Sequence, residues 1–91
     1  MYNGEWNNHK VEGKGILYYE NGNVLYNGTW INGEYSGYGI QYYKNRNINY
    51  NGTWLNGNFH GYGILYDRDN RRKYKGYFKN GAFKKQLFNR V

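Results

Sequence analysis

Tyr26-Asn27-Gly28-Thr29-Trp30-Ile31-Asn32-Gly33-Glu34-Tyr35-Ser36-Gly37-Tyr38-Gly39 is the stretch whose reading decides the fold. Asn32-Gly33 lies between two segments rich in rings. Asn-Gly in that setting marks a β-hairpin, because a two-residue type I′ turn needs positive φ at both central positions. Pairing outward sets Ile31 against Glu34, Trp30 against Tyr35, Gly28 against Gly37 and Tyr26 against Gly39. Side chains alternate between sheet faces with period two. Tyr26, Gly28, Trp30, Tyr35, Gly37 and Gly39 are therefore expected on one face, where large rings can lie flat over bare backbone.

The same phrase returns every 24 residues. Tyr2-Asn3-Gly4-Glu5-Trp6, Tyr26-Asn27-Gly28-Thr29-Trp30, Tyr50-Asn51-Gly52-Thr53-Trp54 and Tyr74-Lys75-Gly76-Tyr77-Phe78 open four units, expected at 2–25, 26–49, 50–73 and, in shorter form, 74–91. A fixed period of this size signals a stack of small structural units, and such stacks offer extended surfaces rather than closed pockets. Asn8-His9, Asn56-Gly57 and Asn80-Gly81 repeat the turn. His9 is the weak copy, although His tolerates positive φ better than most side chains. Glu20-Asn21-Gly22-Asn23, Lys44-Asn45-Arg46-Asn47 and Arg68-Asp69-Asn70-Arg71 are polar turn clusters between hairpins. A tight turn there sets Gly39 opposite Gly52 and Gly37 opposite Trp54, continuing the ring-over-glycine face; a bulge is expected to break it.

The fold class is thus all-β: an elongated, single-layer antiparallel sheet of consecutive β-hairpins. Its structural ladder comprises Tyr2, Gly4, Trp6, Tyr26, Gly28, Trp30, Gly37, Gly39, Tyr50, Gly52, Trp54, Gly61, Gly63, Tyr74, Gly76 and Phe78. Composition agrees. Ninety-one residues fit one small domain and are hard to stabilise around a single deep core. Thirteen Tyr, four Phe and three Trp carry the apolar surface, while the absence of cysteine removes disulfides and thiolate zinc sites. No stretch resembles a signal peptide or a membrane span, so the expected address is cytoplasmic or viral-intracellular, with a peripheral position at a membrane left open.

Tyr-x-Gly-x-Trp-x-Asn-Gly-x-x-x-Gly-x-Gly, as carried by Tyr26, Gly28, Trp30, Asn32, Gly33, Gly37 and Gly39 and again by Tyr50, Gly52, Trp54, Asn56, Gly57, Gly61 and Gly63, resembles the MORN (membrane occupation and recognition nexus) repeat. The first copy departs at His9. The last keeps Tyr74, Gly76, Asn80 and Gly81, replaces Trp by Phe78, and has Lys85 and Leu87 at the two later glycines, as a terminal cap would. The resemblance implies the single-layer hairpin sheet, together with protein–protein association, end-to-end self-association and recruitment near membranes.

Two surfaces are candidate sites. The second face carries Tyr38, Ile40 and Tyr42, and Tyr62, Ile64 and Tyr66, with Lys14, Ile16 and Tyr18 as their first-unit counterparts. An uncovered aromatic stripe of this kind marks a partner-binding surface; its alternative is packing against itself in a twisted sheet. The second surface is basic. Net charge is +7, and the last unit has Lys75, Lys79, Lys84, Lys85 and Arg90 with no acid. With Arg68, Arg71, Arg72 and Lys73 these form a candidate anion- or lipid-binding cluster, or a solubilising end. Nucleic acid is disfavoured, because the rings are needed to hold the sheet and no RNP-like or OB-like signature appears. His9 and His60 occupy unrelated repeat positions, no acid has a partner suited to proton transfer, and the glycines form no phosphate loop.

These features point to a non-enzymatic binding or scaffold module without cofactor or metal. Its expected partners are another protein and a second copy of itself, with a dimer as the expected oligomer. The first alternative is a peripheral module that binds anionic phospholipid through the basic C-terminal end. The second is a viral or bacterial effector that captures a host protein or ligand.

Overall fold

The computed structural model describes residues 1–86; Arg90 of the basic cluster, Leu87 and the end of the 74–91 unit lie outside the described residues. The chain forms β1 (Tyr2–Asn7), β2 (Lys10–Tyr18), β3 (Val24–Ile31), β4 (Glu34–Tyr42), β5 (Ile48–Leu55), β6 (Asn58–Tyr66), β7 (Arg72–Lys79) and β8 (Ala82–Gln86). All eight pair antiparallel in chain order as one open sheet, and the described residues contain no helix. The molecule measures 45 × 25 × 17 Å.

Turn chemistry sets this order. Asn32 and Gly33 have φ of 53° and 83°, and Asn56 and Gly57 have 51° and 83°, as type I′ turns require. Asn8 and His9 reach the same region at 52° and 66°. Each of the later three turns is also tied to the preceding hairpin. Val11, Tyr35 and Phe59 carbonyls accept hydrogen bonds from the Gly33, Gly57 and Gly81 amides at 2.8–2.9 Å. The adjacent Asn amides donate to Glu12 Oε1 (3.1 Å), Ser36 Oγ (3.1 Å) and His60 Nδ1 (3.4 Å). His60 thus serves a turn. Between hairpins, Tyr19 to Gly22 and its successors close a turn whose last residue is left-handed: Gly22, Arg46 and Asn70.

The inner register of the hairpins differs from the expected one. Trp30 faces Tyr35, but Gly28 faces Gly39 and Tyr26 faces Gln41. One residue of β3, Thr29, therefore stands against three of β4, Ser36 to Tyr38, a bulge of two extra residues. Gly37 makes it, at φ +90°, and the Thr29 hydroxyl reaches the Ser36 and Tyr38 carbonyls that the bulge exposes. Gly37 accordingly turns its bare side to Thr29 on the second face instead of joining the ladder. Gly61 and Thr53 repeat the arrangement. Two is an even number, so every side chain beyond the bulge keeps its face. At the connections Gly39 pairs with Gly52 and Gly37 with Trp54, and a one-residue slip falls outside the ladder, between Gln41 and Tyr42. The bulges leave the shared face intact.

That face holds the core: Tyr26 and Tyr50 are fully buried, with Trp30, Trp54 and Phe78 nearly so. The rings divide their tasks. Tyrosine lies over glycine: a Cβ on Gly39 would fall within 2.6 Å of Tyr26 Cε1, and one on Gly63 equally close to that of Tyr50. Tyr26 also stacks on Tyr35 (3.9 Å, 7°) and Tyr50 on Phe59 (4.1 Å, 11°). Their hydroxyls donate to the Thr29 and Thr53 carbonyls, as buried phenols require. Tryptophan, expected to lie flat, instead stands edge-on to these rings and donates Nε1–H to bare backbone: Trp30 to Gly15 O and Trp54 to Gly39 O, each at 3.1 Å. Burial pushes the Tyr50 phenol up to about 12 and raises that of Tyr26, where the neighbouring Tyr35 adds to desolvation.

Candidate functional site

Among the described residues nothing covers the face opposite the ladder. Tyr38 and Tyr62 are 55% and 52% exposed there. Ile40, Tyr42, Ile64 and Tyr66 are half-buried, so the six residues of the expected stripe are unequal and the two rings nearest the bulges project most. Cross-strand partners fill the spaces between them. Ile16, Ile40 and Ile64 alternate in one row with Asn3, Asn27, Asn51 and Lys75. Tyr38 donates its hydroxyl to Asn51 Oδ1 at 2.6 Å, and Tyr62 meets the hydroxyl of Tyr77, whose ring lies 4.1 Å away. Tyr77 extends the aromatic stripe into the last hairpin, where Glu5, Thr29 and Thr53 stand in the first three. Lys14, Thr29, Tyr38 and Ile40 border an open groove of about 340 Å³.

The surface is amphipathic and held from beneath. Its rings have fixed backbone positions, because the neighbouring strands β3 and β5 bury Tyr26, Trp30, Tyr50 and Trp54 on the other side of the sheet. Tyrosine so placed offers contact area and a hydrogen bond at small loss of side-chain freedom.

The structure divides the basic cluster. Arg68, Arg71, Arg72 and Lys73 gather at the edge formed by the inter-hairpin turns, Lys79 lies at the opposite edge beside the Asn80-Gly81 turn, and Lys84 and Lys85 project from β8. Lys75 is half-buried within β7. Sequence reading missed Lys44 and Arg46, which join the same turn edge one hairpin earlier. The signal was the 24-residue spacing that puts Lys44 in register with Arg68. Both cations sit over tyrosine rings of the preceding unit, Lys44 over Tyr19 and Arg68 over Tyr43, each at 5.8 Å. Those tyrosines donate to the Tyr42 and Tyr66 carbonyls (2.6 and 2.7 Å), and Asn23 and Asn47 side chains bridge successive turns. Glu20, Asp67 and Asp69 stand at the same edge, Asp67 accepting from the Asp69 and Arg71 amides; six cations against these three acids leave the edge with mainly positive charge.

Among the described residues no group of three His, Asp or Glu side chains is placed to hold a metal ion, and no helix is long and apolar enough to cross a membrane. The chain matches no curated protein. The family model for the MORN repeat matches three consecutive segments, residues 2–24, 26–48 and 50–70. MORN repeats are non-catalytic modules that bind proteins or membranes. The hairpin array, its glycine-seated rings and these three matches together make the chain a member of the MORN-repeat family.

Proposed function

We propose that the chain is a protein-association module that takes a partner protein on its uncovered tyrosine face and also binds copies of itself. The half-exposure of Tyr38 and Tyr62, on a sheet whose opposite face holds the buried core, carries this reading. Monomeric proteins rarely leave contiguous aromatic surface in water, and tyrosine is enriched where surfaces meet. The basic turn edge and β8 steer an acidic partner towards that face. A photoreactive side chain at position 38 or 62 tests it in the native source. One discrete protein cross-linked from both positions, and not from Leu55 at the hairpin-turn edge, is the expected result. Equal labelling from all three positions contradicts the assignment.

A second reading is peripheral attachment to anionic lipid. Alignment of Lys44, Arg46, Arg68, Arg71 and Arg72 along one edge of the ribbon favours it, since each cation near such a surface contributes about 1 kcal/mol. Flotation with phosphatidylserine vesicles should then be lost at high salt and in Arg68→Glu/Arg71→Glu. Binding that ignores both changes removes this reading.

A further inference from the structure

Trp30 and Trp54 are 5% and 4% exposed, but Trp6, their counterpart in the first hairpin, is 60% exposed. The preceding strands make the difference. Trp30 has the Gly15 carbonyl as acceptor and ring edges from Tyr2, Tyr26 and Tyr35. Trp54 has the Gly39 carbonyl and the rings of Tyr26, Tyr35, Tyr50 and Phe59. Trp6 meets the ring of Tyr2 (5.3 Å), and Val11 stands where Tyr35 and Phe59 stand. No described strand lies along the outer edge of β1.

We propose that this edge is a self-recognition site: β1 of a second copy adds to it antiparallel, about a twofold axis through Gly4, so that the Trp6 of each copy covers the Gly4 backbone of the other. The proposal rests on the self-association reading above and assigns it a surface and a register.

The glycine row selects the occupant. Gly4, Gly15, Gly28, Gly39, Gly52, Gly63 and Gly76 pair successively across the sheet. At the far end the row stops, because Gly76 faces Gln86 in β8. Each buried tryptophan rests its indole N–H on a carbonyl of this row. Of the two edge strands, β1 alone offers a bare residue there. Strand β8 also carries Lys85 at the position held by Gly13, Gly37 and Gly61, the residues that face Trp30, Trp54 and Phe78. Head-to-tail addition would therefore set a lysine opposite Trp6, where the twofold arrangement sets the ring of Tyr2, and β8 against β8 would oppose Lys84 and Lys85 of both copies.

Charge and parity fix the register. Centred on Gly4, Tyr2 faces Trp6 of the second copy and Asn3 faces Glu5, giving two aromatic cross-strand pairs. Shifting so that Trp6 faces Gly4 sets Glu5 against Glu5, and like charges directly opposite destabilise. A one-residue slip turns the ring face of one copy to the other side. Six residues per strand make a small contact, so micromolar affinity is expected.

Sedimentation equilibrium on the 91-residue chain tests the site. A dimer is expected; Trp6→Ala should raise its dissociation constant tenfold or more while leaving the melting temperature of the dilute monomer unchanged, and Leu55→Ala at the hairpin-turn edge leaves the dissociation constant unchanged. The chain has no cysteine, so Asn3→Cys/Glu5→Cys should oxidise to a covalent dimer. A wild-type dimer indifferent to Trp6→Ala overturns this site and leaves self-association standing. Growth into larger oligomers that cross-link through Glu5→Cys/Lys85→Cys overturns the twofold arrangement. A monomer up to millimolar concentration overturns both the site and the reading beneath it.

Discussion

At Gly39 and Gly63 the space a Cβ would take is filled by the phenols of Tyr26 and Tyr50. Gly22 differs: nothing lies within 4 Å of its absent Cβ, and Arg46 and Asn70 hold the equivalent left-handed position in the later turns. The two kinds of glycine separate by substitution. Gly39→Ala should cost about 3 kcal/mol, the upper end of overpacking, because Tyr26 is held by Tyr35 on one side and its hydroxyl by Thr29. Gly22→Asn should stay within about 0.5 kcal/mol. Urea midpoints of the two variants check the contrast, and equal losses contradict it. The pairing of rings with glycines was legible from their shared spacing. Which ring lies flat was not, because the choice depends on where the indole N–H finds a carbonyl.

Hairpins carry the next set of consequences. Their two-residue turns could be read directly from Asn-Gly, whereas the bulges could not. A bulge needs Gly37 at φ +90° and the Thr29 hydroxyl on two exposed carbonyls, and neither residue announces that pairing in sequence. Glu12, Ser36 and His60 were equally hidden. They perform one task, accepting the amide of the next turn, but share no chemistry beyond an acceptor atom. The tyrosine face was legible as a stripe, while its inequality, with Tyr38 and Tyr62 prominent, follows from the bulges. The first turn offers a test at this scale. His9 adopts φ 66° where the other three copies place glycine, a conformation unfavourable to a side chain by about 1–2 kcal/mol. His9→Gly should raise stability by about 1 kcal/mol after the entropic cost of glycine; a lower urea midpoint contradicts this.

At the scale of the whole molecule the described residues form no second layer, so stability rests on one continuous file of rings. That makes it sensitive to tyrosine ionisation. The folded-state pKa of Tyr50 is pushed up to about 12 by burial and that of Tyr26 is raised as well, against about 10 in an unfolded chain. Above pH 10 the unfolded state loses these protons while the folded state keeps them, so stability falls as pH rises. Below about pH 10 the contribution is fully present. Urea midpoints should be independent of tyrosine ionisation up to about pH 9 and fall steeply between 10 and 12; a flat profile through pH 12 contradicts the burial described here. Charge was legible only in part at this scale. The C-terminal excess is plain in sequence, but the alignment of Lys44 and Arg46 with Arg68 and Arg71 along one edge appears only once the hairpins are stacked.

Proton NMR gives the most direct test of the ring file. A phenol resting on a glycine shields its Hα protons. Gly15, Gly39 and Gly63 should therefore show strongly upfield Hα resonances with cross-relaxation to Tyr2, Tyr26 and Tyr50 respectively, while Gly33 and Gly57 in the open turns stay near ordinary values. Ordinary shifts at Gly39 and Gly63, without contacts to those rings, would contradict the structure on which every other statement depends.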